Sequence, residues 1–190
     1  MALLQSIEDR RAYRALSSKS IEEEVLLRLI QAAHTAPSAM NNQPWRFVTV
    51  TEEKTLSMLK ETLSPGNYWA KQAPALVGVV TNTKWGMTLA DRSFASFELG
   101  MATMAYQVQA VSEGLRVHPI AGFNAQEAKK VLQIDDEDTL MILLVVAYPG
   151  DDAHLNEKHL ESERGPRVRL PLEKVHAFNQ FSRNLKPEGK

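Results

Sequence analysis

Three arginines, Arg10, Arg11 and Arg14, stand close together near the start of the chain. On a helix, positions 10 and 14 share a face, since four residues make about one turn. Guanidinium donors match phosphate oxygens as a bidentate fork, so this grouping suits a phosphate. The competing reading is a solvated basic face paired with Glu8 or Asp9. A second pair, Arg167 and Arg169, lies near the other end of the sequence. In an extended segment, residues two apart point the same way. If the fold joins the two groups they form a clamp for a dianion; spacing alone is equally compatible with two separate surface clusters.

The stretch Pro37-Ser38-Ala39-Met40-Asn41-Asn42-Gln43-Pro44-Trp45 offers amides and a hydroxyl between two prolines that restrict the backbone. Ser38 and Asn41 suit a polyol chain or a phosphate, Gln43 suits backbone bridging, and Trp45 suits a core anchor. The bland alternative is a turn, where Asn and Ser are common. Pro119-Ile120-Ala121-Gly122-Phe123 adds a glycine at which a backbone can approach a flat ligand, with N–H groups available to a ring nitrogen.

Other chemistries find no support. Cysteine is absent, which removes disulfides, thiolate metal sites, Cys nucleophiles and dithiol redox chemistry. Any redox role must then use a bound cofactor. No Gly-x-Gly-x-x-Gly follows a strand, no phosphate-binding Gly-Lys-Ser/Thr loop occurs, and Ser38 lacks a Gly-x-Ser-x-Gly setting. His154 and His159 are five apart, off the spacing that puts two ligands on one helix face, so no metal site is expected. The net charge of -1 gives no bulk electrostatic case for nucleic acid or an anionic membrane. The start of the sequence has no basic segment before an apolar run, and the longest apolar run, Leu140–Tyr148, suits a buried strand better than a membrane helix. A cytoplasmic location is the expectation.

These groups must be carried by a small set of elements. With 190 residues, one domain spanning 1–190 is expected. Ser6 is placed to cap a first helix, which Ser17–Ser20 break. Ser20-Ile21-Glu22-Glu23 has the form of a capping box, and the helix after it repeats apolar residues at Ile21, Val25, Leu26, Leu29, Ile30 and Ala33 until Pro37. Strands are expected at 46–51, 75–81, 116–120 and 139–148. Helices are expected at 52–63 and 125–132, with a longest one over Thr88–Gly114 that has Gly114 as its C-cap. Small residues at Ala90, Ala95, Gly100, Ala102, Ala105 and Ala110 would let other helices come close to it. A dimer interface is one use for such a helix; an ordinary core helix is the other. Arg167–Leu170 should be extended, with a short helix from Pro171. Helix dominates and the class expected is α+β.

Four motifs then stand in a familiar order: Arg10-Arg11-x-x-Arg14, Ala36-Pro37-Ser38-x-x-Asn41-x-Gln43-Pro44-Trp45, Gly114-Leu115 followed by Pro119-Ile120-x-Gly122-Phe123, and Arg167-x-Arg169-Leu170-Pro171-Leu172-Glu173. Together they resemble the nitroreductase family over roughly 7–175. The resemblance implies a small, mostly antiparallel sheet wrapped by helices, with a long central helix at a homodimer interface and FMN bound between subunits. It implies that Arg10, Arg167 and Arg169 hold the FMN phosphate, with Arg11 assisting and Ala12 in the same stretch. It places Arg14 near the flavin pyrimidine, with Asn67 and Lys71 as further contacts there. Pro37, Ser38, Ala39 and Asn41 would reach the flavin from the partner subunit. The backbone N–H groups of Ala121 and Gly122 would face its N5 and O4.

No protein nucleophile is required, because the flavin carries the chemistry and the protein supplies binding, orientation and electrostatics. NADH or NADPH would act as donor and a nitroaromatic, quinone or similar small molecule as acceptor, in turn. Ala121 departs from the acidic side chain that several family members carry, and the chain is short for an inserted helical lid. Trp69, Trp85, Met87 and Phe123 are candidates to line the open flavin face, or else to pack the core. Dehalogenation, enoate reduction or flavin breakdown on the same scaffold, and a flavin-binding protein without turnover, are the rival readings.

Overall fold

A computed structural model describes residues 3–187. Its centre is a four-stranded antiparallel sheet in the order β1 (Arg46–Val50), β2 (Ala75–Thr81), β6 (Thr139–Ala147), β5 (Arg116–Ile120). Every residue of β2 is buried, so its run Ala-Leu-Val-Gly-Val-Val-Thr is apolar without alternation, as a strand covered on both faces must be. One face packs Leu76, Val80, Leu143 and Val145 against α3 (Glu53–Glu61), α5 (Ala125–Leu132) and Trp69. The other packs Ala75, Val77, Val79, Leu144 and Val146 against α2 (Glu23–His34) and α4 (Ala95–Ser112). The α+β architecture expected from the sequence is the one observed. Among the described residues, no helix is long and apolar enough to cross a membrane.

Several elements differ from expectation. The first helix, α1, spans only Gln5–Asp9 and follows Leu4, with no side-chain cap from Ser6. The chain beyond it is recruited elsewhere: Ala15 and Leu16 are buried, Leu16 bridges Pro149, and Ser17 N–H donates to Tyr148. Arg10 to Arg14 therefore lie off any helix. The capping box does not form either: α2 starts at Glu23 behind Glu22, without a side-chain cap. Ile21 instead joins the apolar cluster that holds Leu26, at the two positions of a hydrophobic staple. Burying an isoleucine gains about 1.5–3 kcal/mol, more than the roughly 1 kcal/mol of a serine cap.

The long helix is shorter than its pattern. Residues 88–93 form a hairpin of β3 (Thr88–Leu89) and β4 (Arg92–Ser93), with Ala90 left-handed at φ 55° in its turn. Helix α4 begins only at Ala95. It ends where Gly114 takes φ 74°, Gly114 N–H reaching Val111 and Leu115 N–H reaching Ala110, the two bonds of a Schellman motif. A further helix, α6 (Glu157–Arg164), occupies what the sequence presents as a polar connector, capped by the Asn156 side chain on His159 N–H.

Candidate functional site

Arg10 and Arg167 come from opposite ends of the chain and meet. The Arg167 guanidinium donates to the carbonyls of Glu8 and Arg10, the latter at 2.9 Å. Arg10 reaches Gln107 of α4 at 3.5 Å. Burial, and then the positive charges of Arg167 and Arg169, push the Arg10 guanidinium below its ordinary value. Three guanidiniums thus share one neighbourhood. Such a cluster repels itself unless an anion is set against it.

Arg11 is turned to another task. It donates to Gly165 O at 2.8 Å and Ser162 O at 3.3 Å, at the C-terminal end of α6 where a cation is favoured. Ala12 beside it is exposed. Arg14 is half-buried, 5.7 Å from the Trp69 ring centre, and its Nε has no partner. Burial pushes it down, while Glu163 and then Tyr68 pull it back up. Trp69 itself is fully buried and packs tilted against the His118 ring, with centres 4.5 Å apart, so it belongs to the core and covers no open face.

Glu163 is what fixes this segment, and the sequence gives no sign of it. Its carboxylate is buried and accepts Arg14 N–H at 2.7 Å, Ala15 N–H at 3.3 Å and Arg116 Nη1 at 3.0 Å. Arg116 also donates to Ala15 O at 2.6 Å and lies 4.2 Å from the Tyr13 ring centre. His118 donates from Nδ1 to Tyr13 O at 3.0 Å. Burial holds its pKa down at about 4, with Arg14 and His159 adding to the effect.

Asn67 and Gly122 also come together. The Asn67 amide donates to Gly122 O at 2.7 Å, and a Cβ on residue 122 would stand 2.7 Å from that amide nitrogen. Ala121 is exposed beside them. Lys71 is directed to Glu61 at 2.9 Å, at the surface. Phe123 and Trp85 pack partly buried against the core, with Arg46 4.9 Å from the Trp85 ring centre, and Met87 is half-buried.

In the loop after α2, Pro37 and Asn41 are exposed, and a 3-10 turn spans Ala39–Asn41. Met40, Asn41 and Gln43 all have positive φ, between 50° and 56°. Ser38 Oγ accepts Gln43 N–H at 3.0 Å, and Trp45 is buried as the anchor. Glu98 of α4, missed in the sequence, accepts Ala39 N–H at 2.7 Å. It is the one acid of α4, but the longer helix expected over Thr88–Gly114 also holds Asp91 and Glu113, so it stands out only once the helix is seen to run from Ala95 to Ser112. Among the described residues no cluster of three or more His, Cys, Asp or Glu side chains is arranged to hold a metal.

Known proteins share this fold. A solved structure described as an oxidoreductase containing FMN superposes with a TM-score of 0.86 at 28% identity, covering 96% of this chain and 94% of its own. The FMN reductase [NAD(P)H] of Bacillus subtilis (strain 168) is 26% identical over 191 residues, 92% of this chain and 72% of that protein. Iodotyrosine deiodinase 1 of Mus musculus is 26% identical over 180 residues, 77% of this chain and 62% of that protein. The profile of the nitroreductase family matches residues 7–148, which hold the first arginine group, the Asn-rich loop and the whole sheet; with the fold and that match in agreement, the chain belongs to the nitroreductase family.

Proposed function

We propose that this chain is one FMN-binding domain, paired as a homodimer, and an NAD(P)H-dependent oxidoreductase that reduces nitroaromatics, quinones or similar small acceptors. The observation that carries it is the meeting of Arg10 and Arg167 from the two ends of the chain, with the charge of Arg169 near enough to act on Arg10. A phosphate monoester dianion is the complement of that charge, and guanidinium forks bind it bidentately. The fit extends to the rest of the group. Arg14 is half-buried with an unpartnered Nε, suited to an electron-rich ring edge, and Asn67 and Gly122 offer a close-packed polar corner.

Bound FMN would supply hydride transfer between a nicotinamide and an acceptor. The residues of this chain bind and orient. Arg10, Arg167 and Arg169 take the phosphate. Arg14, a permanent cation whose burial Glu163 partly offsets, stabilises negative charge at the pyrimidine end. Ser38 and Asn41 act from the loop of the partner subunit. Arg11 serves through α6, and Lys71 would have to leave Glu61 to contribute.

The dimer is supported by α4, which carries apolar residues on its outer side as well as its inner one, with Phe97, Met101 and Met104 on the outer side. Exposed Val168, Leu170, Leu172, Val175, Phe178 and Phe181 in the last segment point the same way.

The test is a visible spectrum of the purified protein, followed by anaerobic addition of NADH and NADPH. A flavin band that bleaches is expected, with parallel lines in double-reciprocal plots when an acceptor is added, because donor and acceptor would use one site in turn. A colourless protein that takes up no added FMN would refute the assignment. Reductive dehalogenation is the second reading, favoured by the similarity to a deiodinase. A panel of nitroaromatic, quinone and iodinated phenol acceptors separates the two.

A further inference from the structure

Helix α4 has a single charged residue, Glu98, and it is 2% exposed. One carboxylate oxygen, Oε1, accepts the Ala39 N–H at 2.7 Å; the other, Oε2, is buried and has no donor. A buried carboxylate so sparsely satisfied is costly, and its place in the first turn of α4, where the helix dipole favours negative charge, recovers only part of that cost. Something else must account for an acid at this point of an apolar helix.

The residue it holds opens a strained turn. Met40, Asn41 and Gln43 are left-handed, with φ of 54°, 56° and 50°. Side-chain-bearing residues stay in that region only where the surroundings over-determine it. Inside the loop, Asn41 N–H reaches Ser38 O at 3.1 Å, Gln43 N–H reaches Ser38 Oγ at 3.0 Å, and Gln43 Nε2 reaches Asn41 O at 3.0 Å. These bonds shape the turn without placing it. Among the described residues, the bond from Ala39 to Glu98 is the hydrogen bond that ties the Ser38–Asn42 turn to another element.

We propose that Glu98 is a positioning residue: through the Ala39 N–H it sets where the Ser38–Asn41 turn stands on α4, and so where Ser38 and Asn41 are presented to FMN. The proposal rests on the FMN-dependent function above. It makes the loop's aim a property of α4, the same helix whose outer side is apolar.

The test uses the full chain with three single variants, E98A, E98Q and A39P, and the double variant E98A/A39P. Ala39→Pro removes the N–H alone, because proline suits the first position of a helical turn and Ser38, at φ −146° and ψ 150°, already has the extended backbone that precedes a proline. Two quantities are read: the dissociation constant for FMN added to the apoprotein, from quenching of flavin fluorescence, and the melting temperature of that apoprotein. E98A and A39P should each weaken FMN binding about tenfold or more. E98Q keeps an acceptor oxygen and should stay within about threefold of the parent. The double variant should be no weaker than either single one, because both remove the same bond. The proposal is overturned if E98A binds FMN like the parent, if E98Q is as weak as E98A, or if the two losses add. It is also overturned if the melting temperature falls while FMN affinity holds, since that marks a purely structural acid. A parent protein that takes up no FMN overturns the functional assignment along with it, and that result is visible before any variant is made.

Discussion

The Arg167 guanidinium rests on the main-chain carbonyl of Arg10 at 2.9 Å, joining two residues 157 positions apart. The contact is side chain to backbone, so it leaves the Arg10 guanidinium itself unspent. With Arg169 nearby, the effect is to gather positive charge and to fix the backbone from which Arg10 projects. A site of this kind, drawn from the two ends of one chain, is what the proposed clamp for a dianion requires.

Arg10→Ala and Arg169→Ala should therefore weaken FMN binding far more than they destabilise the apoprotein. Each lost charged hydrogen bond is expected to cost about 1.5–3 kcal/mol of binding, or roughly one to two decades in affinity. The apoprotein should change little, because the relief of mutual repulsion offsets the long Arg10–Gln107 hydrogen bond that Arg10→Ala removes. FMN titration beside a urea unfolding curve measures both; unchanged FMN affinity in either variant would remove that arginine from the site.

Much of this was legible in the sequence, and the rest was hidden for physical reasons. Strand β2 and helix α5 lie at the residues expected of them, 75–81 and 125–132, because the signals of a short element are local. The stretch Arg10–Ala15 has the pattern of a helix but is not one, because its backbone partners are remote: Glu163 lies 149 positions from Arg14 and Arg116 lies 101 from Ala15. Period alone does not separate the two cases, since residues 10 and 14 fall on one side of either a helix or an extended chain. Helix α4 is shorter than its pattern because the hairpin at 88–93 carries no glycine or proline in its turn to mark it; Ala90 takes the left-handed position instead. Glu163 sits among the other charges of α6, and nothing in its neighbours marks it as the buried one.

Glu163 offers a second test. Its carboxylate serves two backbone N–H groups and the Arg116 guanidinium, and Glu163→Ala leaves all three without it. Removing one partner of a buried pair should cost about 3 kcal/mol. FMN affinity should fall as well, because the backbone that aims Arg10 and Arg14 is loosened. Urea unfolding of the apoprotein reads the first effect and fluorescence quenching the second. A loss of stability under about 1 kcal/mol would mean that Arg116 alone holds the segment.

His118 makes the stability of the fold depend on pH in a defined direction. Its value is about 4 in the folded chain against an ordinary 6.5, chiefly because burial against Trp69 disfavours the imidazolium. Between those two values the unfolded chain binds a proton that the folded chain does not. Stability is accordingly complete above about pH 6.5 and declines as pH falls towards 4, by about 3 kcal/mol in all. His118→Phe keeps an aromatic ring against Trp69 and removes the titration. The difference in unfolding free energy between parent and variant should shrink or reverse on going from neutral pH to about pH 4.5. A difference that stays constant with pH would show that His118 keeps its proton equilibrium on folding.

Helix α4 joins the loop to the outer surface, and that makes the quaternary state testable through the site. Phe97, next to Glu98, is 64% exposed, and Met101 and Met104 continue an apolar side along the helix. In a lone protomer these side chains face water on an element whose inner side is packed, which is the surface the proposed homodimer would cover. Placing a charge there should oppose association while leaving the packed side of α4 alone. Phe97→Glu is expected to sediment as a folded monomer at concentrations where the parent is a dimer. Because Ser38 and Asn41 are assigned to the flavin of the partner subunit, the monomer should also hold FMN more weakly, although its three clamp arginines are intact. Loss of affinity that follows dissociation, and recovers as the variant is concentrated, would tie the cofactor to the interface. A variant that stays dimeric would move the interface off this side of α4, and a monomer that keeps full FMN affinity would confine the site to one subunit.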